Sequence, residues 1–247
     1  MNVILIDPAE MDSDRTATID GRRAQHIRKV LRAATGDTVR VGLLNGPMGF
    51  GTIRAINPLR VVLEVSAAAP PPPKSDVDLI LALPRPIMLK RILAQATSMG
   101  VGRIFLINAN RVEKSFFNAT LLEAANIEEC LRLGLEQAVD TRLPQLSLHH
   151  RFRPFVEDRL PELAGECPVR LVAHPDTDLR LNEAAPHPLA QRVLLAIGPE
   201  GGWVNFEIDM FRARGFTPFT LGPRILRMDT AVPALLAQID LLRLLPA

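Results

Sequence analysis

AIGPEGGWVNFEIDMF, residues 196–211, decides how this chain is read. The apolar run leading into it, RVLLAIG (192–198), stops at Gly198-Pro199-Glu200-Gly201-Gly202, and a helix-like pattern, NFEIDMFRARG (205–215), begins just beyond. A buried strand that ends in a glycine-proline loop and feeds a helix is one step of an α/β repeat. Glycine lets the backbone approach a ligand closely and proline fixes the turn, so the loop is a candidate binding element. Taken alone, the same residues also describe an ordinary tight turn after a strand.

Outward from this stretch the alternation continues in both directions. VDLILALP (77–84) reads as a strand, PIMLKRILAQATSMG (86–100) as a helix, RIFLINA (103–109) as a strand and NATLLEAANIEECLRLGLEQA (118–138) as a long helix. PVRLVAHP (168–175) and FTPFTLG (216–222) are further strands. A closing helix, TAVPALLAQIDLLRLL (230–245), places Val232, Leu235, Leu236, Ile239 and Leu242 on one face. Near-continuous apolar strands separated by helices predict an α/β domain with a mostly parallel sheet.

Upstream, the tract AAAPPPPK (67–74) marks a boundary, because four consecutive prolines neither pair in a central strand nor continue a helix. Before it, GRRAQHIRKVLRAATGD suggests a short basic helix closed by Gly36-Asp37, followed by β-like runs at 39–44, 51–56 and 59–65. A basic helix with several short strands suggests a small barrel. The expected organisation is a domain over 1–69, a Pro-rich linker over 70–75 and the α/β domain over 76–247.

Charge is unevenly spread. The whole chain carries a net +2, yet residues 15–60 hold nine basic residues (Arg15, Arg22, Arg23, Arg28, Lys29, Arg32, Arg40, Arg54, Arg60) against Asp20 and Asp37 alone. This excess of seven points to an anionic partner, with nucleic acid the leading candidate, or else to a solvated helix face. The 247 residues, 47% of them hydrophobic, are enough for a substantial core. No window approaches the ~20 apolar residues of a membrane span. The N-terminus has no signal-peptide pattern, and Cys130 and Cys167 lie far apart, so a reduced, cytoplasmic protein without a membrane partner is expected. The histidines and cysteines show no metal-ligand spacing, so no metal is expected.

Three late strands end in unusual loops: AHP (173–175), IGPEGG (197–202) and LGPRILR (221–227). In an open parallel sheet ligands bind outside the carboxyl ends of the strands, and loops of this composition suit an adenine-type ring held by main-chain groups and apolar contact. The chain contains neither GxxxxGK[ST] nor a GxGxxG after a first strand, so neither the P-loop nor the dinucleotide-binding reading has its fingerprint.

The pair AIGPEGGW and TLGPRILRMDTA resembles the two signature motifs of the ribosomal RNA small subunit methyltransferase E family, within the SPOUT class. AQHIRKVLRAATGD, LNGPMGFGTIRAI, ILAQATSMGVGRIFLIN and GLEQAVDTRLPQL extend the resemblance over essentially the whole chain in order. It implies a PUA-like N-terminal β-barrel domain, a C-terminal trefoil-knotted parallel-sheet domain, a homodimer, and S-adenosyl-L-methionine as cofactor. The implied reaction is methylation of N3 of a uridine in small-subunit (16S) ribosomal RNA, free or in the assembled small subunit. Rival readings are a SPOUT enzyme acting on another RNA such as tRNA, a non-catalytic RNA-binding protein of the same fold, and a small-molecule α/β enzyme.

The resemblance also assigns roles. His174, Ile197, Gly198, Pro199, Gly201, Gly202, Leu221, Gly222, Ile225 and Leu226 are the expected cofactor-binding residues. Arg227 is the first candidate for stabilising negative charge on the uracil, with Glu200 either orienting a loop or acting on the base. Arg22, Arg23, His26, Arg28, Arg32 and Arg224 are the expected RNA contacts. This chain departs from the family pattern at Val204, where serine is usual, at Asp229, where glutamate is usual, and at Asp140, where arginine is common. Asn205 is the expected N-cap of the helix after GPEGG and Thr230 that of the last helix. Pro233 should lie in that helix's first turn.

Overall fold

Strand-forming residues before the proline tract build a five-stranded sheet in the order β1-β3-β4-β5-β2. Its strands are β1 (Ile4–Ile6), β2 (Thr16–Ile19), β3 (Thr38–Leu43), β4 (Met48–Ile56) and β5 (Val61–Ala69). β1 pairs with β3 in parallel and the other neighbours are antiparallel. In β3 the period of two sends Val39 and Val41 inward and Thr38 and Arg40 outward. With Ile4, Ile6, Ile19, Ile53, Val61 and Leu63 they form one apolar cluster, which Ala24 and Ile27 of α1 (Gly21–Lys29) join. β1 and β2 are additions to the strands expected from the sequence.

This is a computed structural model, and it describes residues 1–163 and 165–246. The chain divides into two units: Met1–Pro73 with Leu131–Leu143, and Lys74–Cys130 with Pro144–Ala247. The sequence reading placed Leu131–Leu143 wholly in the second domain. In the structure this segment groups with the first unit because Leu135 packs on Val3 and Leu5, the outer-face residues around β1. Main-chain bonding adds to the packing, the Asn2 N–H donating to the Glu136 carbonyl at 2.7 Å.

α1 is shorter than the run to Gly36-Asp37. The Val30 N–H closes on the His26 carbonyl, and Arg32 adopts φ 53°, through which a right-handed helix cannot continue. β5 starts only at Val61 because Asn57 makes a side-chain turn, its Oδ1 accepting from the N–H groups of Leu59 (2.9 Å) and Arg60 (2.8 Å). Asp140 finds its reason in a similar turn, accepting from the N–H groups of Thr141 (2.6 Å) and Arg142 (3.1 Å). The proline tract has no regular secondary structure, and the Pro71 carbonyl accepts from Arg142 Nη2 at 3.0 Å.

The second unit holds a six-stranded, all-parallel sheet in the order β11-β9-β10-β6-β7-β8. Its strands are β6 (Val77–Ala82), β7 (Arg103–Ile107), β8 (Gln145–His149), β9 (Val169–Ala173), β10 (Val193–Ile197) and β11 (Thr217–Phe219). Every residue of β6 and β10 is buried, the pattern of central strands covered on both faces. β8 was not anticipated, since QLSLH is short and follows prolyl punctuation.

Between the strands run α2 (Pro86–Ser98), α3 (Ala124–Ala138), α4 (Phe152–Pro154), a π-helical turn (Phe155–Arg159), α5 (Leu160–Leu163), α6 (Leu181–Ala184), α7 (Asn205–Ala213) and α8 (Met228–Leu244). The expected long helix from 118 is replaced, before Ala124, by two 3₁₀ turns. In α8, Val232, Leu235, Leu236 and Ile239 are buried while Leu242 is half-buried. Because α8 begins at Met228, Thr230 is its third residue and Arg227 occupies the N-cap. Pro233 therefore falls in the second turn, where it cannot donate to the Asp229 carbonyl. Among the described residues, no helix is long and apolar enough to cross a membrane.

At the amino ends of β6, β7 and β10 sits a buried charge cluster. Asp78, fully buried, pairs with Arg103 at 2.7 Å and Arg192 at 3.2 Å. Cys167 lies 3.4 Å from the same carboxylate; burial, followed by that negative charge, pushes its thiol up to about 11. The opposite, carboxyl end of the sheet carries the cleft described next.

Candidate functional site: a cleft at the carboxyl ends of three parallel strands

β11, β9 and β10 are adjacent and parallel, so the loops that follow them emerge side by side. They line one cleft, to which the loop after β9 contributes His174 and Pro175. The loop after β10 contributes Gly198, Pro199, Glu200, Gly201, Gly202 and Trp203, and the loop after β11 contributes Leu221, Gly222, Arg224, Ile225 and Leu226. Ile197, Phe219, Met228 and Leu235 close the floor and side. Each residue expected to bind a cofactor lines this cleft. Arg227 is not among its lining residues: its side chain is 69% exposed, with Nη2 3.5 Å from Asp229 and 3.3 Å from the Met88 sulfur.

The loop geometry explains the glycines. Gly202 has φ 73° and its N–H returns to the Pro199 carbonyl at 2.8 Å, closing the turn that residues 199–202 make. At Gly198 the limit is space, since a Cβ there would stand 3.1 Å from Trp203 Nε1 and 3.2 Å from two ring carbons. The indole itself is 3% exposed and is packed edge-on against Phe211 at 5.1 Å.

Supporting side chains hold these loops, and two of them, Arg180 and Arg111, are absent from the sequence reading. Glu207, 2% exposed, accepts the Val204 N–H at 3.0 Å and the Asn110 N–H at 2.7 Å. Val204, which has no polar side chain, is thus the N-cap of α7 in place of the expected Asn205, and the missing serine is replaced by Glu207 reaching back. Arg180 Nη1 donates to the Leu221 carbonyl at 3.2 Å, bracing the third loop. Arg111 Nη1 donates to the Gly201 carbonyl. Nothing in local spacing signals Arg180 or Arg111, which lie far in sequence from the loops they hold, whereas Glu207 stands three residues after Val204, at capping-box spacing.

The cleft's chemistry is mostly apolar, with a few polar atoms. Trp203 Nε1 and His174 Nδ1 are buried and have no hydrogen-bond partner among the described residues. Burial lowers the His174 pKa, so the ring is neutral at pH 7. Ile225 is 86% and Leu226 38% exposed at its mouth, apolar surface that a flat ring would cover. Glycine backbone, apolar walls and two orphaned polar atoms fit a purine nucleoside held without a phosphate-binding cradle. Glu200 is exposed at the rim, and no hydrogen bond to its carboxylate is found among the described residues.

In the first unit the basic residues separate into two groups. Arg22 pairs with Glu136 at 2.8 Å and Arg23 with Glu10 at 2.5 Å, Arg23 being only 16% exposed. Arg54 pairs with Glu64. All three acids lie outside the 15–60 window, so the local excess of charge is smaller in space than in sequence. Arg28, Lys29 and Arg32 together line a groove with Asn57 and Pro58, and Arg28 donates to the Pro58 carbonyl. His26 has its Nε2 buried without a partner among the described residues, and burial lowers its pKa.

Comparison with known proteins fits this geometry. The family model described as an RNA methyltransferase domain matches residues 70–240. A ribosomal RNA small subunit methyltransferase E from Treponema pallidum is 30% identical over 95% of this chain and 88% of its own length. One from Synechocystis is 32% identical over 96% and 77%. In three dimensions, the enzyme of that name from Neisseria gonorrhoeae, solved bound to S-adenosyl methionine, superposes with a TM-score of 0.76 over 98% of both chains at 20% identity. That likeness shows a shared α/β fold, and the two sequence matches go further: the chain belongs to the ribosomal RNA small subunit methyltransferase E family.

Proposed function

We propose that this protein methylates N3 of a uridine in small-subunit ribosomal RNA, using S-adenosyl-L-methionine held in the cleft at the carboxyl ends of β9, β10 and β11. The observation that carries this reading is the convergence of the GPEGG and LGPRILR loops on one apolar cleft with two unpartnered polar atoms. We read the second unit as a SPOUT-class trefoil knot and the first as a PUA-like RNA-binding domain. Support for the knot comes from the sheet order, in which β11 lies beside β9 rather than beside the preceding β10.

His174, Ile197, Gly198, Pro199, Gly201, Gly202, Leu221, Gly222, Ile225 and Leu226 would hold the cofactor, the glycines through backbone and Ile225 and Leu226 against the purine. The bound cofactor supplies an electrophilic methyl group on a sulfonium. What the chain must add is a place for the charge that develops when uridine N3 loses its proton. Arg227 meets that need: it is exposed, and its contact to Asp229 is long at 3.5 Å, leaving guanidinium donors for a uracil oxygen or a phosphate. Glu200, the acid at the rim, would act on the base; in support, no hydrogen bond from the loop to its carboxylate is found among the described residues. Arg224 and the Arg28–Arg32 groove are the RNA contacts; Arg22 and Arg23 serve them indirectly through the fold of the first unit.

The active form is a homodimer. Supporting this, Leu241, Leu244 and Leu245 at the end of α8 are 55%, 81% and 44% exposed, more apolar surface than a free helix end needs. Sedimentation should give twice the 27.2 kDa chain mass. The decisive experiment incubates the purified protein and labelled S-adenosylmethionine with small ribosomal subunits and maps the modified nucleoside. N3-methyluridine in small-subunit RNA supports the reading, and label in tRNA alone refutes it.

A further inference from the structure

In the sheet, β6 lies between β7 and β10, yet the loop after β7 reaches across to the loop after β10. Two contacts make the bridge. Glu207 accepts the Asn110 N–H on one carboxylate oxygen and the Val204 N–H on the other, inside the protein. Next to it, on the surface, Arg111 lays its stem along Gly201: a Cβ built there would come within 3.0 Å of Arg111 Cδ and 3.3 Å of its Cβ. One guanidinium N–H goes to the Gly201 carbonyl.

The two contacts differ in kind. Glu207 uses both of its oxygens on backbone and is buried, which is what a brace requires. Arg111 is exposed, spends one of its donors on the loop, and no carboxylate lies within 4 Å of it among the described residues. A cation whose aim is set by the cofactor loop, but whose charge is unanswered, is arranged to receive an anion beside the cleft. We propose that Arg111 binds a phosphate of the RNA substrate and positions the target nucleotide over the cleft, resting this on the reading of the cleft given above. Guanidinium suits the task because its planar fork can hold the loop carbonyl and phosphate oxygens together.

The test compares wild type with Arg111→Ala and Arg111→Lys, using small ribosomal subunits isolated from cells that lack this protein. Single-turnover methylation is followed against subunit concentration at two salt concentrations, cofactor affinity is measured by calorimetry, and thermal unfolding reports the fold. For Arg111→Ala the half-saturating subunit concentration should rise about tenfold or more, as for the loss of a charged contact. The log–log salt slope should flatten by about 0.7–0.9. Cofactor Kd should change less than about twofold, and Arg111→Lys should keep the wild-type salt slope while recovering part of the rate. A loss of cofactor affinity with an unchanged salt slope would assign Arg111 to the cofactor carboxylate or to bracing, and overturn the proposal. Active wild type with an equally active Arg111→Ala overturns this proposal alone, whereas inactive wild type overturns the functional reading and this inference with it.

Discussion

Adding one methyl group at Gly198 tests whether the indole of Trp203 sets the shape of the cleft. A Cβ there would lie 3.1 Å from Nε1 and 3.2 Å from Cδ1 and Cε2, so a few tenths of an ångström must be found. The indole cannot easily supply them, because it is 3% exposed and wedged between Phe211 at 5.1 Å and Phe152 at 6.1 Å. Overpacking of this kind costs about 1–3 kcal/mol, offset by about 0.4–1 kcal/mol because alanine restricts the unfolded chain. Gly198→Ala should therefore lose about 1–2 kcal/mol net, seen as a lower urea midpoint with an unchanged slope. S-adenosylmethionine affinity should fall by about tenfold, since a shift equivalent to ~1.4 kcal/mol at the wall suffices. The control is Trp203→Ala, which removes all three of the clashing atoms. In that background Gly198→Ala should cost less than it does alone, a coupling of about 1 kcal/mol between touching residues. Strict additivity of the two substitutions, with cofactor affinity unchanged, would refute the idea that this contact shapes the cleft.

The remaining predictions address the rest of the molecule. Asp78→Asn leaves Arg103 and Arg192 facing each other without their shared anion; because Arg192 is 32% exposed, the cost should sit near the low end for a broken buried pair, about 3 kcal/mol by urea denaturation. Replacing Arg28, Lys29 and Arg32 by glutamine should flatten the salt dependence of RNA binding by about 0.7–0.9 per lost phosphate contact, with cofactor affinity unchanged. Arg23→Gln should instead lower stability, since it breaks the pair with Glu10. Burial lowers the pKa of His149 and His174 below the ordinary 6.5, so the unfolded chain takes up protons that the native state resists. Their contribution is present above about pH 6.5 and lost as pH falls below it; the urea midpoint should drop between about pH 7.5 and 5.5, and less so in a His149→Phe, His174→Asn double variant.

Local pattern carried the α/β reading of the second unit a long way. Continuous apolar runs such as VDLILA and VLLAI become strands because only a central, doubly covered strand can bury every residue. GPEGG and LGPR were legible as loops because glycine and proline act on the backbone where they stand. The same residues therefore forecast the cleft, and all ten expected cofactor residues line it. Misreadings fell where long-range contacts overrode local preference. β1 forms only because β3 lies beside it, and Leu131–Leu143 groups with the first unit because Leu135 finds Val3 and Leu5 more than a hundred residues away. The basic face is also smaller in space than along the chain, since Glu10, Glu64 and Glu136 reach into it from outside residues 15–60. Sequence alone thus determined the order of elements and the loops that build the site, because those depend on residues a few positions apart. Only the tertiary structure decided which charges remain unpaired and which distant side chains, Arg180 and Arg111, hold the loops in place, because hydrogen bonds and ion pairs act over ångströms in space whatever the separation along the chain.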